Sequence, residues 1–167
     1  MFKDVFVLSY NWSELKWIGN PVPAMVMATV TEVADDVDID VSDITIGFQS
    51  EPNTGVAHVD VNQISLDRRF LRETEQENMK FTLYHELRHF DQYRRGLLDV
   101  DTAGVVLWMG VHQVWQSGDH YFLTPWERDA NAFAISKMKR HQYENNPIFQ
   151  RIDQAMQNHN AKYELLF

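Results

Sequence analysis

The sequence predicts an α+β fold: a small, mostly antiparallel sheet packed on one long helix, followed by a β-hairpin and a second helix. Three observations predict it. Short runs of alternating apolar and polar residues, separated by turn residues, occupy 44–67, the signature of half-buried strands. The stretch from Thr74 to Arg95 then contains neither Gly nor Pro, follows Glu73 and ends on Arg94, Arg95 and Gly96. Acid first, base last and a closing Gly are the marks of a helix. After Gly96 the period returns to two, until a second helical segment opens near Pro125. A chain of 167 residues has the length of one domain, so a single domain over 1–167 is expected. Its 44% hydrophobic and 13% aromatic content is enough for a core.

Each element has its own warrant. Segment 2–8 is short, apolar and β-prone, a strand candidate. Val22, Val26, Val30, Val33 and Val37 recur at near-helical spacing behind Pro21 and Pro23, which predicts an amphipathic helix over 23–37. The acidic run Asp35, Asp36, Asp38, Asp40 and Asp43 lacks the Gly and the closing Glu of a calcium loop and reads as a solvated helix end and loop. Strands follow at Ile44 to Phe48, Gly55 to Val61 and Ile64 to Asp67, with Pro52, Asn53 and Gly55 as turn residues. Val105 to Trp108 and Val111 to Trp115 flank Met109-Gly110 as a hairpin. The second helix is expected over Trp126 to His141, with Thr124 as its cap and Pro125 early in it. A last helix, Pro147 to Asn158, has a narrow apolar face of Ile148, Ile152, Ala155 and Met156.

Composition removes several chemistries. The chain has no Cys, so disulfides, thiolate nucleophiles, iron–sulfur clusters and Cys-ligated zinc are excluded. A metal would be held by His, Asp or Glu, of which there are seven His and 24 acids. A net charge of −9 argues against nucleic acid and anionic lipid as partners. The longest apolar stretches, such as Val105 to Met109, fall far short of the ~20 residues that span a bilayer. The segment MFKDVFVLSY has no long apolar run of the kind a signal peptide carries, and the cytoplasm is the expected location.

The long helix contains His85-Glu86-Leu87-Arg88-His89, an H-E-x-x-H pattern. Residue frequencies give about 0.02 chance occurrences in a chain of this length. Four residues are about one helical turn, so both imidazoles leave one face and can reach the same zinc. Glu86 is placed to take a proton from the attacking water. Phe81, Leu83, Tyr84, Leu87 and Phe90 supply apolar packing around the motif. Arg95 stands where a third His of the longer H-E-x-x-H-x-x-G-x-x-H pattern would be, so the third ligand comes from elsewhere. Candidates are Glu127, His112, His120, Asp91 and Asp129. Asp91, two residues past His89, points about 200° around the helix. Glu127 opens the second helix, followed by the small Ala130, and is favoured, with His120 next. An acid there also suits a helix N-terminus, metal or no metal.

These residues resemble the gluzincin type of zinc metallopeptidase, which carries H-E-x-x-H on one helix and a ligand Glu on a later one. The nearer resemblance is to small, minimal zincin-like proteins of phages and bacteria. Its motifs here are Tyr84 to His89 with Gln92, Trp108-Met109-Gly110, and Pro125-Trp126-Glu127-Arg128-Asp129-Ala130-Asn131, over roughly 44–140. The resemblance implies a minimal zincin-like fold, His85, His89 and Glu127 as ligands of one zinc per chain, and Glu86 as general base. Larger gluzincins often have Asp four residues after the ligand Glu; here it is Asn131, whose amide oxygen can still accept from a ligand imidazole. Asp129 is the alternative in that role, and His120, Tyr121 and Tyr93 are candidate donors to an oxyanion.

The expected activity is hydrolysis of a polypeptide by a zinc-activated water with Glu86 as base. The strand Ile64 to Asp67 is the expected edge for pairing with an extended peptide. A zincin-fold binding protein with structural zinc and no catalysis is the alternative. Mimicry of DNA by the acidic surface is a weaker reading, because only one compact acidic run exists. The aromatics Trp108, Trp115, Tyr121, Phe122 and Trp126 read as core and hairpin packing.

Overall fold

The structure is a computed structural model that describes residues 10–11, 16–17, 23–49, 55–113, 121–138 and 146–164. Segment 2–8, Pro52, Asn53, Trp115, Gly118, His120 and the end of the expected second helix at 139–141 lie outside the described residues. The described chain is α+β, with small sheets and four helices. It forms two compact units, Met1–Asp91 and Gln92–Phe167, and the division falls inside one continuous helix.

In the first unit, β1 (Tyr10–Asn11) pairs with β2 (Lys16–Trp17), and α1 spans Ala24–Asp36, as the valine spacing predicts. The sheet consists of β3 (Thr45–Gln49), β4 (Gly55–His58) and β5 (Gln63–Asp67), in the order β3-β5-β4. β4 runs antiparallel to β5, but β3 runs parallel to it, with Thr45 opposite Gln63 and Phe48 opposite Leu66. The expected edge strand Ile64 to Asp67 is therefore the centre of the sheet. Consecutive burial of Ile64, Ser65 and Leu66 is what a strand with neighbours on both sides shows. Alternation in a sequence identifies a strand; it carries no information about which strands flank it.

Two 3₁₀ turns, 68–71 and 73–75, lead into α2 (Gln76–Arg94). The first is capped by Asp67, whose Oδ1 accepts from the Arg69 amide at 2.7 Å. Met79, Leu83, Leu87 and Phe90 recur on one stripe of α2 and are all completely or almost completely buried, as are Val26, Val30 and Val33 of α1. Two polar links join these helices. The buried Lys80 ammonium lies 2.7 Å from a Glu32 carboxylate oxygen. The Tyr84 hydroxyl donates to Asp36 Oδ2 at 3.1 Å. Burial, then the Asp36 charge, pushes the Tyr84 phenol above its ordinary range, so it stays a neutral donor. The acidic run is thus partly structural: Asp36 receives Tyr84, Asp43 receives Asn62 at 3.0 Å, and Asp40 receives the Ser42 amide at 3.0 Å.

In the second unit, α2 ends in a Schellman motif. The Leu97 amide donates to the Gln92 carbonyl at 2.8 Å and the Gly96 amide to Tyr93 at 2.9 Å, with Gly96 at φ +67°. A three-stranded antiparallel sheet follows, β6 (Leu98–Val100), β7 (Val106–Trp108) and β8 (Val111–His112). The β7–β8 hairpin turns on Met109-Gly110 as expected; β6 is an additional strand that the sequence reading missed. A 3₁₀ turn, Tyr121–Leu123, leads into α3 (Pro125–Lys137), and α4 spans Pro147–Glu164. Thr124 stands at the N-cap of α3 without a capping side chain. Its hydroxyl donates backwards to the Tyr121 carbonyl at 2.8 Å, while Pro125 at the first helical position has no amide to satisfy.

Candidate metal centre

The helical spacing of His85 and His89 brings their rings edge to face, with centroids 4.8 Å apart and Nε2 atoms 3.1 Å apart. His85 also stacks on Phe81, one turn earlier, at 6.4 Å between centroids. His89 is buried and His85 half-buried. Glu127 sits in the first turn of α3 and is 4% exposed, and carboxylates are rarely buried this far unless they are paired. His85, His89 and Glu127 each offer a ligand atom, and these atoms lie within 4.8 Å of one another. Among the described residues no other group of three His or acids meets that test. The acidic run at 35–43, in particular, gathers no such group.

Glu86 is buried at 6% exposure, on a different face of α2 from the two His. Its neighbour is Gly55, the first residue of β4. A Cβ added at Gly55 would overlap the Thr82 methyl and lie 3.0 Å from Glu86 Oε1. Glycine at this position lets β4 come this close to the carboxylate. The sequence reading gives Gly55 as a turn residue and strand opening; the available signal is a Gly in a strand, which marks close approach of another group.

The remaining candidates divide clearly. Asp91 pairs with Arg88, one turn back. His112 lies exposed on β8 with Nε2 3.2 Å from the half-buried Asp101, a pair within the second unit. Asp129 accepts from Gln92 Nε2 at 2.8 Å. Asn131 is buried, one turn after Glu127 on the same helix. Tyr121 is 42% exposed and stands edge-on to the Trp126 ring, with 6.5 Å between centroids. Tyr93 is exposed near the end of α2, and His120 lies outside the described residues.

Comparison with known family models, curated proteins and solved structures finds no match to this chain. What can be said of its function therefore rests on these side chains.

Proposed function

We propose that the chain is a zinc metallopeptidase of minimal gluzincin type, with His85, His89 and Glu127 as zinc ligands and Glu86 as general base. The observation that carries this reading is that Glu127, far along the chain from both, converges with His85 and His89 on one small volume. Two imidazoles and one carboxylate make a donor set used by hydrolytic zinc sites, with room for a fourth ligand. The 3.1 Å between the two Nε2 atoms is close to the separation of about 3.3 Å expected for two nitrogens held tetrahedrally at ~2.0–2.1 Å from zinc.

Held by His85, His89 and Glu127, zinc would supply Lewis acidity toward a water and a substrate carbonyl. Glu86 takes the proton of the attacking water and delivers it to the leaving amine. Its burial beside β4 limits bulk water around the carboxylate and holds its rotamer. Among the described residues β4 is an edge strand, and an extended polypeptide can add to such an edge through main-chain hydrogen bonds. This role passes to β4 from β5, whose two edges are already paired.

The test is metal content with turnover. The purified protein should hold about one zinc per chain. It should cleave peptides in a mixed quenched-fluorescence library. Glu86→Gln should keep the zinc and lose hydrolysis by at least about 10²-fold. Glu127→Ala should lose most of the zinc affinity. Zinc-dependent stability with no cleavage of any peptide would favour a structural zinc in a binding protein. A metal-free protein with unchanged stability would end both readings.

A further inference from the structure

Gln92 is completely buried, yet it is an amide, and burying an amide is costly unless its hydrogen bonds are made. Its Nε2 donates to the Trp126 carbonyl at 2.9 Å and to Asp129 Oδ2 at 2.8 Å. Both amide hydrogens are thereby used. The two acceptors stand one residue before and two residues after Glu127, in the first turn of α3. The bond to Asp129 is charge-assisted and the stronger of the two.

The position of Gln92 on its own helix matters equally. It lies three residues after His89 and seven after His85, so the three residues share an arc of about 60° on α2. Phe81, which stacks on His85, belongs to the same stripe. One helix face therefore presents two imidazoles and, one turn on, a planar amide. The amide grips the turn that carries the third member of the ligand group.

We propose that Gln92 is a positioning residue for the metal centre: by holding Trp126 and Asp129 it sets the rotation and height of the first α3 turn, and with them the Glu127 carboxylate. The inference rests on the zinc reading above. A single hydrogen bond leaves a helix free to roll about the contact. Two bonds from one rigid plane, to a carbonyl and to a side chain of the same turn, remove that freedom. The same geometry gives Asp129 a job. Its carboxylate receives Gln92, which explains an acid at this position independently of any contact with a ligand imidazole.

The experiment uses Co²⁺ as the probe, in the full chain, following its visible absorption during titration. Gln92→Met keeps length and apolar bulk but removes both donors. It should weaken Co²⁺ binding about 10-fold or more and alter the absorption spectrum. In a Glu127→Ala background the same substitution should have no further effect on Co²⁺ affinity, because the group it positions is gone. Equal losses with and without Glu127 would mean that Gln92 only stabilises the fold, and would overturn the proposal. So would an unchanged affinity in Gln92→Met. If wild-type protein takes up no Co²⁺ or zinc, the metal reading itself fails, a result distinct from either. Should Gln92→Met not fold, Asp129→Asn weakens the same grip from the other side. It should lower Co²⁺ affinity several-fold, with no further loss when Glu127 is already replaced by Ala.

Discussion

The two three-stranded sheets are built on opposite terms. In the first, the centre strand β5 buries Ile64, Ser65 and Leu66 in succession, and Ile46 and Phe48 of β3 are buried beside it. In the second, Val100 and Val111 are more than half exposed and no strand residue is buried. Its order comes instead from hydrogen bonds at one loop. Asp101 accepts from the amides of Ala103 at 2.8 Å and Val105 at 2.9 Å and lies beside His112. Burial makes a stiff sheet that can hold a carboxylate such as Glu86 in place. A sheet tied by an exposed loop is more easily opened and less suited to that task.

The contrast can be broken at several points. The largest effect is expected from Leu66→Ala, which empties a fully buried site and should cost about 2–5 kcal/mol in chemical denaturation. Val111→Ala, exposed on β8, should stay within about 0.5 kcal/mol. Comparable losses from the two would erase the distinction.

Gly55→Ala should come next, at about 1–3 kcal/mol, since the new methyl has no room beside Thr82. Adding Thr82→Ser removes the methyl it strikes and should restore much of the stability. The new Cβ still lies 3.0 Å from Glu86 Oε1, so peptide cleavage by the double variant should remain low. Recovery of stability and cleavage together would reduce Gly55 to a packing role.

In the second sheet, Met109 adopts φ +52° at the first position of a two-residue turn, where Asn is far better suited. Met109 is exposed and contributes little by burial. Met109→Asn should therefore raise stability by roughly 0.5–1 kcal/mol.

The smallest effect concerns pH. The Val105 amide above all, with the Ala103 amide and His112, holds the Asp101 carboxyl below the usual carboxylate range. A carboxylate depressed in the folded state stabilises above its unfolded pKa of about 3.9 and loses that contribution as pH falls through the folded value. The Ala103 and Val105 amide resonances should hold steady from neutral pH to about 5, then shift as acid is added. No change in these amides once the Asp101 carboxyl carbon has itself titrated would show that the loop orders itself without the carboxylate.

Much of the architecture was legible because it depends on local signals. α1 follows from valines at helical spacing, α2 from a break-free stretch between acids and bases, and the hairpin from Met109-Gly110 flanked by alternation. Pairing was not legible. The parallel register of β3 on β5, and the central place of β5, depend on contacts between segments that no period encodes. The added strand β6 is three residues long, with one polar residue, too short for alternation to register. At the site, His85, Glu86 and His89 could be read from spacing alone, and Glu127 only as one of several candidates. Thr124 looked like a cap because its residue type is right, but its hydroxyl had a nearer acceptor in Tyr121. Gln92 stood in a recognisable motif without a role, since its acceptors lie far along the chain.

The contiguity of the first sheet has a further consequence, for the order of events during synthesis. Its three strands all fall between Thr45 and Asp67, so their pairing closes only short loops and can proceed early. α2 follows directly and delivers both imidazoles. Glu127 arrives only with α3. A chain still being translated can thus fold its sheet while the proposed metal-ligand set is one carboxylate short, and the proposed activity would switch on only after the second unit has been made.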